Sequence, residues 1–145
     1  MYRFIYFEDS MKIHATYCSA EKSNAPGRIP AIERYKSHRI QWVNKRAQKQ
    51  GEALFILSGK HGLIKAEEEI AYYDYLLTSD ALNEHILLLS RQLSSLGTHQ
   101  VTFFARPINV DPNVLPYVKC IKEACQMTSC RLDLTTYPPL EEGKR

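Results

Sequence analysis

The run ALFILSGKHGL, residues 53–63, decides the fold. Ala53 to Leu57 are apolar without alternation, the pattern of a strand buried on both faces of a parallel sheet. Ser58 ends the run, and Lys60 and His61 follow between Gly59 and Gly62. In an open α/β sheet, ligands bind beyond the carboxyl ends of the strands, where loops and helix N-termini converge. The strand therefore delivers its polar tip to the edge of the sheet where a site can be built.

The flanking sequence supplies the layers around this strand. Upstream, Tyr2 to Phe7 and Lys12 to Cys18 are rich in aromatic and β-branched residues and read as two strands. SAEKSNAPGRIP is a long loop, and Pro30 opens a helix that runs to Gln50 and stops at Gly51. Along it Ile32, Tyr35, Ile40, Trp42, Val43 and Ala47 share one broad face. Downstream, Ser79 is placed to cap a helix carrying Leu82, Ile86, Leu89, Leu93 and Leu96, which Gly97 closes. Gln100 to Ala105 is a further strand. Asp111 caps and Pro112 begins a third helix with Val114, Leu115, Val118 and Ile121, and CRLDLTT alternates as the last strand.

Strands alternating with helices call for a parallel sheet covered on both faces. The expected fold is α/β: a three-layer α/β/α sandwich with a mainly parallel, four-stranded central sheet, extended by the N-terminal strand as an antiparallel edge. With 145 residues the chain reads as one domain, 1–145, with a frayed tail at 138–145. Its 44% apolar and 24% charged residues argue against disordered and fibrous classes. No apolar run approaches the ~20 residues of a membrane span, and the N-terminus has no signal-peptide pattern, so a cytoplasmic protein with no membrane partner is expected. In that setting Cys18, Cys120, Cys125 and Cys130 are expected as reduced thiols, and their spacing completes no zinc set. Neither a metal nor a cofactor is expected.

The net charge of +3 is small, but its distribution is uneven. Arg34, Lys36, Arg39, Lys45, Arg46 and Lys49 gather on the first helix, against acids at Glu67, Glu68 and Glu69. These six basic residues are candidate phosphate contacts, and the alternative is a solvated helix face. At the carboxyl ends of the core strands stand Cys18, Ser19 and Lys22, then Ser58, Lys60 and His61, then Arg106 and Asn109. Gly59 and Gly62 allow a close backbone approach to a ligand.

The segments YCSAEK, PAIERYKS, FILSGKHGLI and IAYYDYLL resemble a family of small, largely uncharacterised bacterial and phage domains. Its hallmarks are a Cys-Ser-x-x-Lys loop, a Tyr-centred helix and a Ser-Ala-Lys-Tyr/His-Gly-Leu loop leading into Tyr-Asp. The likeness spans about Lys12 to Leu77; Gly59 stands where alanine is usual, and Ala71 and Tyr72 replace the usual proline context before Tyr73. The second loop is more distantly similar to the YaaA peroxide-stress proteins, which are DNA-associated, and the layout is similar to the uracil-DNA glycosylase fold. The glycosylase loops Gly-x-Asp-Pro-Tyr and His-Pro-Ser are absent.

From these residues the expected function is a nucleic-acid-associated enzyme that hydrolyses or exchanges an N-glycosidic bond of a base in DNA. Asp74 is the candidate carboxylate for the sugar cation, with His61 and Lys60 as donors to the departing base. Cys18, Ser19, Lys22, Ser58, Gly59 and Gly62 would contact substrate, and Tyr17 or Tyr73 would stack on an extruded base. The alternative is a non-catalytic nucleotide-, phosphate- or DNA-binding module. DNA or another nucleic acid, and a second copy of the chain, are the candidate partners.

Overall fold

The computed structural model describes residues 11–139. The strand expected at Tyr2–Phe7 and most of the expected frayed tail lie outside the described residues. Five strands form one sheet: β1 (Met11–Tyr17), β2 (Ala53–Ser58), β3 (Gly62–Lys65), β4 (Thr98–Ala105) and β5 (Arg131–Thr136), in the order β3-β2-β1-β4-β5. Four run parallel. β3 alone is antiparallel, paired to β2 from Ser58 opposite Gly62 to Phe55 opposite Lys65. Among the described residues the antiparallel edge therefore comes from a hairpin inside the supposed loop. Gly62, at φ 73°, makes the turn, and Leu63 and Ile64 find cover only by continuing as a strand.

The helices follow from chain direction. The chain leaves β1 for β2 on one side and then crosses to β4 and β5 on the other. Right-handed crossovers put the first connection on one face of the sheet and the later two on the opposite face. The first face carries α2 (His38–Lys49); the second carries α3 (Leu82–Leu96) and α4 (Leu115–Met127). Ile13, Ala15, Ile56, Val101 and Phe103 are fully buried between these layers. No helix among the described residues is long and apolar enough to cross a membrane.

Three boundaries differ from expectation. The helix expected from Pro30 to Gln50 is two helices, α1 (Ala31–Arg34) and α2, separated by extended backbone at Tyr35 and Ser37. Ser37 causes the restart, because its hydroxyl accepts the Ile40 amide as a side-chain N-cap. Ser79 does not cap α3; a 3₁₀ turn at Ser79–Ala81 precedes it, and neither it nor α3 has a side-chain cap. Asp111 stands before a 3₁₀ turn at Pro112–Val114, but its carboxylate bonds the Tyr17 hydroxyl instead. Gly97 does close α3 in the left-handed conformation. All four cysteines are free and buried.

Candidate functional site

Parallel register fixes which residues share an edge. Tyr17 lies opposite Leu57, Thr16 lies opposite Phe104, and the Cys18 amide donates to the Leu57 carbonyl at 3.0 Å. The ends of β1, β2 and β4 consequently open on the same rim. Because the connections that follow β1 and β4 lie on opposite faces of the sheet, the crevice between the ends of these two strands is a topological switch point.

The tip of β2 is held from three directions. Ser58 Oγ accepts the amides of Lys60 and His61, both at 3.0 Å, and lies 2.8 Å from the Tyr73 hydroxyl. His85 of α3 donates from Nε2 to the Ser58 carbonyl at 2.8 Å. Gln92 takes the Leu63 amide on Oε1 and donates from Nε2 to the His61 carbonyl at 3.1 Å. The turn is thereby tied both to Tyr73 and to α3. Tyr73 continues the network to the Tyr35 hydroxyl, and burial raises the pKa of both phenols well above the ordinary range. Around the Tyr73 ring stand Lys22 Nζ at 4.7 Å, Lys60 Nζ at 5.8 Å, and the His61 ring edge-on at 5.3 Å. Burial, and then the neighbouring Lys60 charge, lower the pKa of His61.

The segment Tyr72–Leu76 runs between two cavities. The larger, about 600 Å³, is lined by Gly59, Lys60, Asp74, Glu84 and His85 together with Tyr72, Tyr73 and Tyr75. The smaller, about 210 Å³, lies at the switch point and is lined by Tyr17, Cys18, Ser19, Lys22, Arg39 and Tyr117, with Asp74, Tyr75, Asp111 and Asn113. Asp74 and Tyr75 border both. A third cleft of about 280 Å³ holds His61 with Lys60, Arg28, Glu68 and Tyr73. Asp74 and Lys60 thus share one cavity, and Asp74 and Cys18 share another. His61 opens onto neither of these two.

Several residues occupy places their types did not suggest. Arg34 and Arg39 are not on the outer face of a basic helix. Arg34 is 0% exposed and donates to the carbonyls of Ser23, Ala25, Gly27 and Ile70, tying down the long loop after β1. Arg39 is 4% exposed and lies beneath the smaller cavity, where burial lowers its pKa. Lys36, Lys45, Arg46 and Lys49 are exposed, but the last three lie roughly 9–15 Å along α2 from Arg39, away from the rim. Gly59 is required by the chain's own packing: a Cβ there would lie 2.9 Å from the Leu77 amide nitrogen. At Gly62 a Cβ would meet Gln92. Ser19 bonds the Glu21 carbonyl within its own loop at 2.7 Å.

The tyrosines exchange places as well. Tyr17 has Arg39 over its ring at 3.6 Å and donates to Asp111 Oδ2 at 2.9 Å, and Tyr73 is buried. Tyr72 and Tyr75, 54% and 44% exposed on either side of Tyr73 and Asp74, are open to solvent instead. The apolar and aromatic run IAYYDYLL held this signal, but its mixed pattern of faces is set by tertiary packing. Tyr117 was equally illegible: its hydroxyl takes the Leu77 amide at 3.1 Å and faces Cys18 Sγ at 3.7 Å. No cluster of three or more His, Cys, Asp or Glu placed to hold a metal occurs among the described residues.

Set beside known families, residues 16–107 match the model of a family of unknown function (DUF6884). That span reaches from the end of β1 to just beyond β4 and includes most of the residues lining the cavities. No curated protein and no solved structure matches the chain.

Proposed function

Since the chain belongs to this family of unknown function, DUF6884, its chemistry has to come from its own residues, and we propose that the rim handles a nucleotide unit of nucleic acid and cleaves or exchanges its N-glycosidic bond. The observation that carries the reading is the place of Asp74. It is an exposed carboxylate between Tyr73 and Tyr75, on the wall common to both cavities, with Lys22 and Lys60 around the ring of the adjacent Tyr73. Departure of a base leaves positive character on the sugar and negative charge on the base. Asp74 steadies the first or positions water, and Lys60, in the same cavity, meets the second. The exposed faces of Tyr72 and Tyr75 give an unstacked base a surface to lie on.

The resemblance of the loops to DNA-associated peroxide-stress proteins, and of the layout to DNA glycosylases, supports the reading as an analogy of architecture. A non-catalytic binding module is the second reading, favoured by the two ammonium groups of Lys22 and Lys60, which stand around the Tyr73 ring without involving Asp74. The experiment incubates the folded protein with nucleotides and with DNA carrying modified or damaged bases, and assays free base and abasic sites. Base release that falls about 100-fold or more in Asp74→Asn, with binding retained, is the expected result. Binding unaffected by Asp74→Asn, with no release from any substrate, leaves the binding module standing and removes the enzyme.

A further inference from the structure

We propose that Arg39 and Lys22 make the smaller cavity a receptor for one phosphate group, so that the unit recognised is a phosphomonoester or phosphodiester and neither a free nucleoside nor a polyphosphate. The inference rests on the nucleotide reading above and names its substrate class.

Two buried arginines in this chain make the comparison. Arg34 spends its terminal nitrogens on four carbonyl oxygens at 2.7–3.1 Å, matching the four N–H groups they carry. Its terminal nitrogens are fully used within the fold. Arg39 is unsaturated by the same measure. Nη1 donates to Thr16 Oγ1 and to the Tyr17 carbonyl, both at 2.6 Å, while Nη2 has only a long contact of 3.4 Å to the Cys18 carbonyl. Its Nε is buried with no partner, as is that of Arg34, so the two differ at their terminal nitrogens. Among the described residues no carboxylate lies within 4 Å of it, and the one acid–base contact that close is His14 with Glu52. A buried cation given only neutral oxygens and the face of the Tyr17 ring keeps part of its desolvation cost, and an anion in the adjoining space offsets that cost.

The adjoining space is the cavity at the switch point, and it holds a second cation. Lys22 Nζ has one long contact, 3.5 Å to the Ala20 carbonyl, and otherwise rests over the Tyr73 and Tyr35 rings. A planar fork from below and an ammonium from the side suit the oxygens of a phosphate. The same walls limit the charge. Asp74 and Asp111 also line the cavity, and Asp111 is held there by the Tyr17 hydroxyl at 2.9 Å. Two cations against two carboxylates admit one anionic group and oppose several.

Calorimetry on the intact chain tests this with inorganic phosphate, nucleosides, their 5′-monophosphates and their 5′-triphosphates. Monophosphates are expected to bind at least about tenfold tighter than the matching nucleosides, and triphosphates no tighter than monophosphates. Lys22→Ala, which removes no buried hydrogen bond, weakens monophosphate binding about tenfold and leaves nucleoside binding unchanged. Arg39→Lys keeps the charge, loses the fork and weakens it at least as much, with folding checked by thermal melting. Equal affinity for nucleosides and monophosphates, absence of phosphate and monophosphate binding, or clearly tighter triphosphate binding each overturns the proposal. Base release without phosphate preference keeps the catalytic reading and removes this one; phosphate preference without base release does the reverse.

Discussion

Ser58 Oγ and the Tyr73 hydroxyl lie 2.8 Å apart, and this contact ties the tip of the apolar strand β2 to the ridge that carries Asp74. Ser58 also holds the Lys60 and His61 amides, so its hydroxyl links three residues of the rim. Ser58→Ala is expected to cost about 1–3 kcal/mol in chemical denaturation, because it strands two amides and removes one of the two hydroxyl partners of a buried phenol. Tyr73→Phe keeps the ring and loses the hydroxyl that Tyr35 and Ser58 share, at a cost of about 1–2 kcal/mol. Hydrogen exchange at the Lys60 and His61 amides separates them: it quickens strongly in Ser58→Ala and little in Tyr73→Phe. Equal protection in the two variants would refute the role given to Ser58.

Gly59 is pressed by the ridge itself. A methyl group there lies 2.9 Å from the Leu77 nitrogen, 3.0 Å from the Tyr117 hydroxyl and 3.2 Å from Leu77 Cβ. Gly59→Ala therefore destabilises the protein by about 1–3 kcal/mol and displaces the segment bearing Asp74. Denaturation curves and the chemical shifts of residues 73–77 report the two effects. A fully stable Gly59→Ala variant with unchanged shifts contradicts this packing.

Arg34 predicts a local lesion. Arg34→Met removes the charge that four carbonyls share, at an expected cost of about 3 kcal/mol or more. Limited proteolysis should then cut first at residues 23–28, where three of those carbonyls lie. Cleavage that begins elsewhere argues that something else holds the loop.

His61 sets a pH dependence of known sign. Its pKa in the folded protein lies below the ordinary value of about 6.5, chiefly through burial and then through Lys60, with Arg28 acting in the same direction and Glu68 against it. The unfolded chain thus binds a proton first as pH falls. The stability contribution of neutral His61 is complete above about pH 6.5 and declines as pH drops through the depressed folded value. An NMR titration of the His61 ring should give a midpoint below 6.5, and Lys60→Ala should raise it. A midpoint at or above 6.5 in the unaltered protein contradicts the geometry.

The layer order was legible because it rests on runs long enough to carry a period. ALFILS read as a buried strand and is one, and the leucine repeat from Leu82 to Leu96 read as a helix and is one. β3 was hidden because Gly-Lys-His-Gly looks like the start of an open loop, while only Leu63 and Ile64 betray a strand. The break between α1 and α2 did have a local signal in Ser37, outweighed by the apolar face running past it. The shared rim of Cys18 and Ser58 followed from strand direction alone. Which side chains face the cavities did not, since Arg39 and Arg34 are indistinguishable by type and spacing and differ only in how many oxygens surround them. For the same reason Tyr17 and Tyr73 looked available for stacking, and only packing shows that they are buried while Tyr72 and Tyr75 are exposed.

Arg34 grips oxygens that belong to the main chain, and every amino acid supplies those. The wall formed by residues 19–28 can consequently change its side chains without losing its anchorage, as long as this one guanidinium persists. Selectivity on that side of the crevice is thereby decoupled from architecture: altered preferences can arise there by substitution alone, with no rebuilding of the frame beneath.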